Sequence, residues 1–333
     1  MNRTLLFISF FFILTLVSCQ PSKNNNGKRQ NEVELVAEKQ LVFPLDEQTY
    51  YLSKSMFQFE ENGKEYLHFE NTRKSLYDIV IFDIENQQIA KRIPLHKTGP
   101  NGLPTVYGSR PSPDSEQILI SQNNIGRLST INNQGEVLRN YTVKTPEGRF
   151  TTFFFCSYYN APAFVKDSCI FLNQGIFKPN MKREDWPQTH MFASLNLKTG
   201  KFKWVPIFYP PIFKEEYDNI AGGYGFSYDY NYKENRLVCG FFGYDSLMVT
   251  DDLKHIRWYN AKSRYLKSMK PKLGNSMEGI NAIIKLRETP KYWHIMYDKY
   301  RNVYYRFAEM PYKLAPNESP YDEPKGKEFS VIV

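Results

Sequence analysis

The chain has 333 residues, a length that allows one large repeat-built domain or two ordinary ones. Its 24 Tyr, 25 Phe, 20 Pro and 18 Gly favour strands broken by many turns, and alanine-rich amphipathic stretches are nearly absent, which argues against a helical fold. The formal net charge is +8, mildly basic, and Arg3 belongs to a leader that the mature chain loses.

The first elements are those of an export signal. Met1-Asn2-Arg3 makes a short positive n-region, and Leu5 to Val17 is apolar apart from Ser9 and Thr15. That stretch is too short to span a bilayer and fits a signal-peptide h-region. It ends in Leu16-Val17-Ser18-Cys19, a small residue ahead of a cysteine, which looks like the lipobox of bacterial lipoproteins. Cys19 is therefore the expected lipidation site, with residues 1–18 the signal peptide, 19–32 a polar lipidated tether and 33–333 the folded domain. No later run reaches the roughly 18 apolar residues of a membrane helix, so the acyl chains, palmitate among them, are the expected membrane anchor. The expected location is the envelope of a Gram-negative bacterium, the outer membrane favoured over the inner. Nucleic acid is not an expected partner there.

Strand pairs follow in chain order. Tyr77 to Ile84 and Ile89 to Leu95 flank the turn Glu85-Asn86-Gln87-Gln88, with apolar residues near alternate positions. The design returns at Gly126 to Ile131 with Glu136 to Val143, at Met191 to Leu195 with Lys201 to Ile207, and at Ser246 to Val249 with Lys254 to Tyr259. A further strand precedes each pair: Glu65 to Glu70, Gln117 to Ser121, Ser168 to Leu172 and Arg236 to Phe241. Tyr292 to Tyr297 with Val303 to Ala308 continues the series. Small antiparallel units recurring at roughly 50 residues are the mark of a β-propeller, whose blades bury their faces against each other. Five blades can be counted internally. Val33 to Phe43 and Lys327 to Val333, both strand-like, would unite in one closing sheet and bring the count to six, with seven and a pair of β-sandwiches as alternatives. The end at Ile332-Val333 has the look of mid-strand, which leaves closure of the ring open.

With the lipobox, the aromatic β-repeats and Lys97-Thr98-Gly99-Pro100-Asn101-Gly102 in place, the chain resembles a family of Bacteroidetes lipoproteins, domain of unknown function 4221. The Gly-Pro-Asn-Gly segment also looks like the joint between blades of six-bladed propeller lipoproteins. The resemblance implies fold and compartment and supplies no activity.

Familiar chemistries lack their residues. The five histidines form no metal spacing, and neither a Gly-x-Ser-x-Gly elbow nor a phosphate loop occurs, so no catalytic residue, metal or cofactor is expected. Asp229-Tyr230-Asn231 reads as a plain turn rather than a calcium loop. An oxidising compartment permits a Cys156–Cys169 bridge, although three cysteines leave one over and aromatic neighbours suggest simple burial. Gly222-Gly223-Tyr224-Gly225 reads as a place of close backbone approach, and Phe153-Phe154-Phe155 with Tyr158-Tyr159 as packing between blades. Two candidate surfaces remain. Lys97, Asn101 and Arg110 flank or belong to the blade joint and would hold an anionic group at the channel mouth. Lys262, Arg264, Lys267, Lys270 and Lys272 lie in a stretch without acids that suits anionic glycans or lipid headgroups. The expected function is a membrane-anchored binding module for a glycan or an envelope protein, with a polysaccharide hydrolase or lyase on the same scaffold as the alternative.

Overall fold

The structure, a computed structural model, describes residues 40–50, 53, 56–73, 76–112, 117–122, 126–143, 161–173, 187–211, 225–266, 280–321 and 329–333. Five antiparallel sheets follow one another, and each keeps its strands in chain order. The first holds β1 (Met56–Glu61), β2 (Lys64–Arg73), β3 (Leu76–Asp83) and β4 (Gln88–Pro94); the second β5 (Gly108–Pro111), β6 (Ile118–Gln122), β7 (Arg127–Ile131) and β8 (Val137–Thr142). The third holds β9 (Phe164–Lys166), β10 (Cys169–Asn173), β11 (Phe192–Asn196) and β12 (Phe202–Trp204); the fourth β13 (Phe226–Asn231), β14 (Arg236–Phe241), β15 (Ser246–Thr250) and β16 (Arg257–Asn260). A helix, α1 (Ile280–Glu288), precedes the fifth, which holds β17 (Lys291–Asp298), β18 (Val303–Glu309) and β19 (Phe329–Ile332). Asn62, Asn235 and Asn302 take positive φ in the tight turns, where asparagine tolerates a left-handed backbone best among side-chain-bearing residues.

The sheets are the blades of a β-propeller, and the apolar positions that alternate along the strands fill the spaces between them. Ile79, Ile81 and Ile93 of blade one form a buried cluster with Ile118, Ile120 and Ile131 of blade two. Leu119 and Leu128 meet Val165, Ile170 and Leu172 of blade three, and Phe164 and Phe192 meet Tyr228, Phe241 and Met248 of blade four. Val238 and Val249 meet Ile295 of blade five. Each such side chain contributes about 1.5–3 kcal/mol when fully buried. Gly240 makes the last contact possible, because a Cβ there would stand 2.9 Å from Ile295 Cγ1. Gly135 has the same role between blades one and two: with φ +83°, a Cβ would reach 2.0 Å from the Pro94 carbonyl oxygen.

Blade five is fastened to blade four by one cation. Arg306 on β18 is 2% exposed. Its Nη1 donates to the carbonyls of Asp245 at 2.6 Å and Ala261 at 2.8 Å, and its Nη2 to those of Phe241 at 3.3 Å and Tyr244 at 2.5 Å. The guanidinium lies 3.3 Å from the centroid of the Tyr292 ring, whose hydroxyl donates to Asp245 Oδ1 at 2.7 Å. Burial brings the Arg306 pKa down to about 10, so the side chain is still cationic at neutral pH.

The seam between blades five and one is polar. Lys299, in the turn after β17, pairs with Glu60 at 3.0 Å and Glu65 at 2.7 Å, and Gln58 Nε2 donates to the Tyr300 hydroxyl at 3.3 Å. On blade one, Phe43 packs against Phe82 with ring centroids 5.3 Å apart, and Asp46 pairs with Arg92 at 2.5 Å.

Several expectations change. The described residues form five blades, not six or seven, and no pair of facing sandwiches. The sixth was counted from the terminal segments, yet Phe329–Ile332 pairs with β18 as the third strand of blade five, and residues 40–43 form no strand. A lone four-residue strand cannot bury two faces and instead completes the sheet beside it. Asp229-Tyr230-Asn231 lies within β13 and is no turn; the bend begins one residue later, where Asn231 Oδ1 accepts from the Lys233 and Glu234 amides. Helix α1 escaped notice although Ile280, Ile283 and Ile284 sit at helical spacing. The first strand of each of blades one to four was not expected: β5 and β9 have only four and three residues, and the alternating aromatics of β13 are interleaved with turn-forming Asp229 and Asn231. Gly225 leaves room for its own blade, as a Cβ would strike the Phe242 ring at 2.3 Å. Cys169 carries a free thiol, while Cys156, Phe153–Phe155, Tyr158–Tyr159 and Gly222–Tyr224 lie outside the described residues.

Replacing Arg306 by Met strands four carbonyls and is expected to cost about 3 kcal/mol or more in urea unfolding. Lys299→Ala, which removes two half-exposed ion pairs, is expected to cost no more than about 1 kcal/mol in the same measurement.

Candidate functional site

A cavity of about 1280 Å³ is bordered by the first strands of blades one, two, four and five. Its walls come from Phe57 and Phe59 of β1, His68 of β2, Arg110 of β5, Asp229 and Asn231 of β13, and His294 and Met296 of β17. Tyr66, Tyr230, Tyr232, Tyr297 and Tyr300 add aromatic faces, and Lys91, Lys233 and Lys299 add cations.

Arg110 is half-buried, with its guanidinium over the Phe57 ring at 4.9 Å from the centroid. Among the described residues it makes no hydrogen bond or ion pair, and its Nη1 is buried without a partner. Beneath it runs a buried relay from β2 to β5. His68 Nε2 lies 2.7 Å from Ser109 Oγ, and Ser109 Oγ donates to Glu70 Oε2 at 3.1 Å. With the serine proton directed at the carboxylate, the imidazole proton is assigned to Nε2, and the lone pair of Nδ1 has no partner. Burial, with the charge of Arg110 added, takes the His68 pKa down to about 3, so the ring is neutral. The serine sits between histidine and acid, whereas a nucleophile triad needs the histidine in the middle.

Across the cavity, Asp229 accepts from the Tyr230 amide at 2.8 Å and the Tyr297 amide at 2.9 Å. Burial pushes its carboxyl above the usual range, against those two hydrogen bonds and the charge of Arg110. Asn231 is fully buried; its Oδ1 caps the turn while its Nδ2 has no partner. Burial lowers His294 to about 4. Glu60 is held by Lys299, and Asp298 accepts from the Tyr300 and Arg301 amides and the Arg301 side chain. Among the described residues no group of His, Cys, Asp and Glu could hold a metal.

The structure separates the sequence-expected set. Arg110 lines the cavity. Lys97 is exposed with its Nζ 5.1 Å from the Tyr77 ring centroid, and Asn101 Oδ1 accepts from the Val137 amide at 3.1 Å. The Gly-Pro-Asn-Gly segment is a tight joint, with Gly102 N donating to Gly99 O at 2.9 Å, and neither Lys97 nor Asn101 borders the cavity. In the basic stretch, Lys262 stands 4.0 Å from Asp245, and Arg264 donates to the Tyr265 hydroxyl at 3.0 Å. Lys267, Lys270, Lys272 and Cys19 lie outside the described residues. His68, Asp229, Asn231 and His294 carried no local motif; the one visible signal was polar residues at alternate positions in β13, masked by its aromatics.

Against this geometry, the family model for a domain of unknown function, DUF4221, matches residues 32–333. The chain belongs to this family. A crystal structure of a DUF4221 member from Bacteroides vulgatus is 86% identical, with TM-score 0.83 over 91% of this chain and 84% of that one. A Bacteroides fragilis structure whose name describes an exported protein is 10% identical, with TM-score 0.44 over 81% and 82% of the two chains. Catalytically inactive virginiamycin B lyase from Staphylococcus aureus is 9% identical, with TM-score 0.39 over 84% and 72%. No chemistry of this DUF4221 protein is inferred from either distant likeness. No curated protein matches the chain.

Buried His68 and half-buried His294 predict an acid sensitivity separate from that of the carboxylates. A neutral histidine with a lowered folded pKa binds fewer protons folded than unfolded, so stability is complete above about pH 6.5 and falls as pH drops toward about 4 and then 3. Melting temperatures between pH 7 and 4 are expected to fall steadily, with a shallower slope in His68→Gln.

Proposed function

We propose that this DUF4221 protein is a membrane-anchored binding module of the cell envelope that holds a glycan in the central cavity. The observation that carries this reading is the cavity itself, roomy and walled by aromatic rings. At about 1280 Å³ it exceeds the ordinary small-molecule site, which suits an oligosaccharide. Aromatic faces from three blades offer stacking surfaces for sugar rings. The lipobox at Cys19 supports anchoring, with the outer membrane as the proposed location.

A hydrolase or lyase on the same scaffold is the second reading, and Asp229 favours it, because a carboxyl raised in pKa beside a histidine-bearing wall is a candidate general acid. Binding is preferred because Glu60 and Asp298 are already engaged and do not pair with Asp229 as acid and nucleophile.

The full-length chain in detergent, presented to arrays of neutral and acidic glycans, is expected to retain a glycan without releasing shorter products. Product release would replace the binding reading with the enzymatic one, and silence on every glycan would move the partner to an envelope protein. Cys19→Ala is expected to lose membrane retention on fractionation; full retention would overturn the anchor.

A further inference from the structure

Building on the glycan reading, we infer that the ligand carries a singly charged oxyanion, a carboxylate or sulfate ester, next to a free hydroxyl, and that Arg110, Asn231 and His68 receive them. Arg110 is a cation partly withdrawn from water with no counter-charge in contact, and the described residues supply neither a carboxylate nor a carbonyl to satisfy it. Such a group is costly to the fold, since desolvation is not repaid by a hydrogen bond or ion pair. Its planar fork matches an oxyanion in two-pronged geometry. The Phe57 ring stands 4.9 Å from the guanidinium carbon, and both side chains border the cavity.

Two fully buried groups on the same cavity have complementary unused capacity. Asn231 Nδ2 is a neutral donor, able to share an anion without adding charge. His68 Nδ1 is an acceptor, and what an acceptor needs from a ligand is an O–H or N–H. Donors for an oxyanion together with an acceptor for a hydroxyl describe an acidic sugar. One unpaired cation with two neutral partners suits one negative charge better than the two of a phosphate monoester. Asp229, within electrostatic reach of Arg110, adds to the preference, since a doubly charged ligand would face its carboxylate.

The test uses the full-length chain in detergent and three oligosaccharides of one backbone: carboxylated, carboxyl-reduced and sulfated. Calorimetry is expected to show that reduction weakens binding at least about tenfold and that Arg110→Met abolishes the difference. Preference for the carboxylated or the sulfated form identifies which oxyanion is the source. Asn231→Asp keeps the turn cap through Oδ1 and replaces the donor with an acceptor; it is expected to weaken the acidic ligand and spare the neutral one. Equal binding of acidic and neutral forms, unchanged in Arg110→Met, would overturn this inference and leave the glycan reading standing. Melting curves supply an arm independent of any oligosaccharide. Sodium glucuronate and sodium methyl sulfate, both monoanions, against sodium chloride at equal ionic strength, are expected to raise the melting temperature of the wild type and not of Arg110→Met. That variant is itself expected to melt no lower than wild type, because among the described residues Arg110 makes no hydrogen bond or ion pair that the substitution would break. No shift with either salt would overturn the anion site even if a neutral glycan binds.

Discussion

The buried guanidinium of Arg306 is the contact on which the arrangement of the site depends. Four carbonyls of blade four converge on it, and Tyr292 of β17 closes its face. By tying β17 and β18 to blade four it fixes two things at once. The Tyr297 amide is brought to Asp229, which makes one cavity wall, and the turn holding Lys299 and Tyr300 is brought to Glu60 and Glu65, which makes the seam with blade one. The charge is desolvated, yet its hydrogen bonds run to neutral carbonyls. The Asp245 carboxylate, bonded to the Tyr292 hydroxyl, adds electrostatic support.

The seams of the ring differ in kind. Between blades one and two, two and three, and three and four, buried branched or aromatic side chains interlock. Among the described residues, the five-to-one seam is held by half-exposed ion pairs, which contribute little to stability. Glu60, Lys299 and Tyr300 of that seam also border the cavity. This polar seam thus lies beside the space proposed to hold a ligand.

Parts of the site were legible before any coordinates. Arg110 stood out as a cation next to a blade joint, and the joint is present. Lys97 and Asn101 share that expectation only through their closeness to the joint in sequence. Geometry assigns Asn101 to the joint itself, through the Val137 amide, and lays Lys97 on Tyr77. His68 was invisible as a partner of Asp229 and Asn231 because it comes from β2 of blade one and they come from β13 of blade four, far apart in the chain. Their individual surroundings gave misleading cues, most plainly for Asp229-Tyr230-Asn231, where turn-forming residue types occupy the end of an inner strand.

The sequence by itself determined the repeated strand pairs, the all-β class and family membership, because alternation along a strand and the turns between strands are local properties of the chain. It also carried the lipobox. The number of blades and the makeup of the cavity were decided by tertiary structure. Whether a terminal strand starts a new blade or completes an old one depends on which sheet edge is free to receive it, and β19 found its edge on β18. Whether a polar residue serves a turn or faces a channel depends on what packs opposite, and no local pattern records its neighbour across the ring.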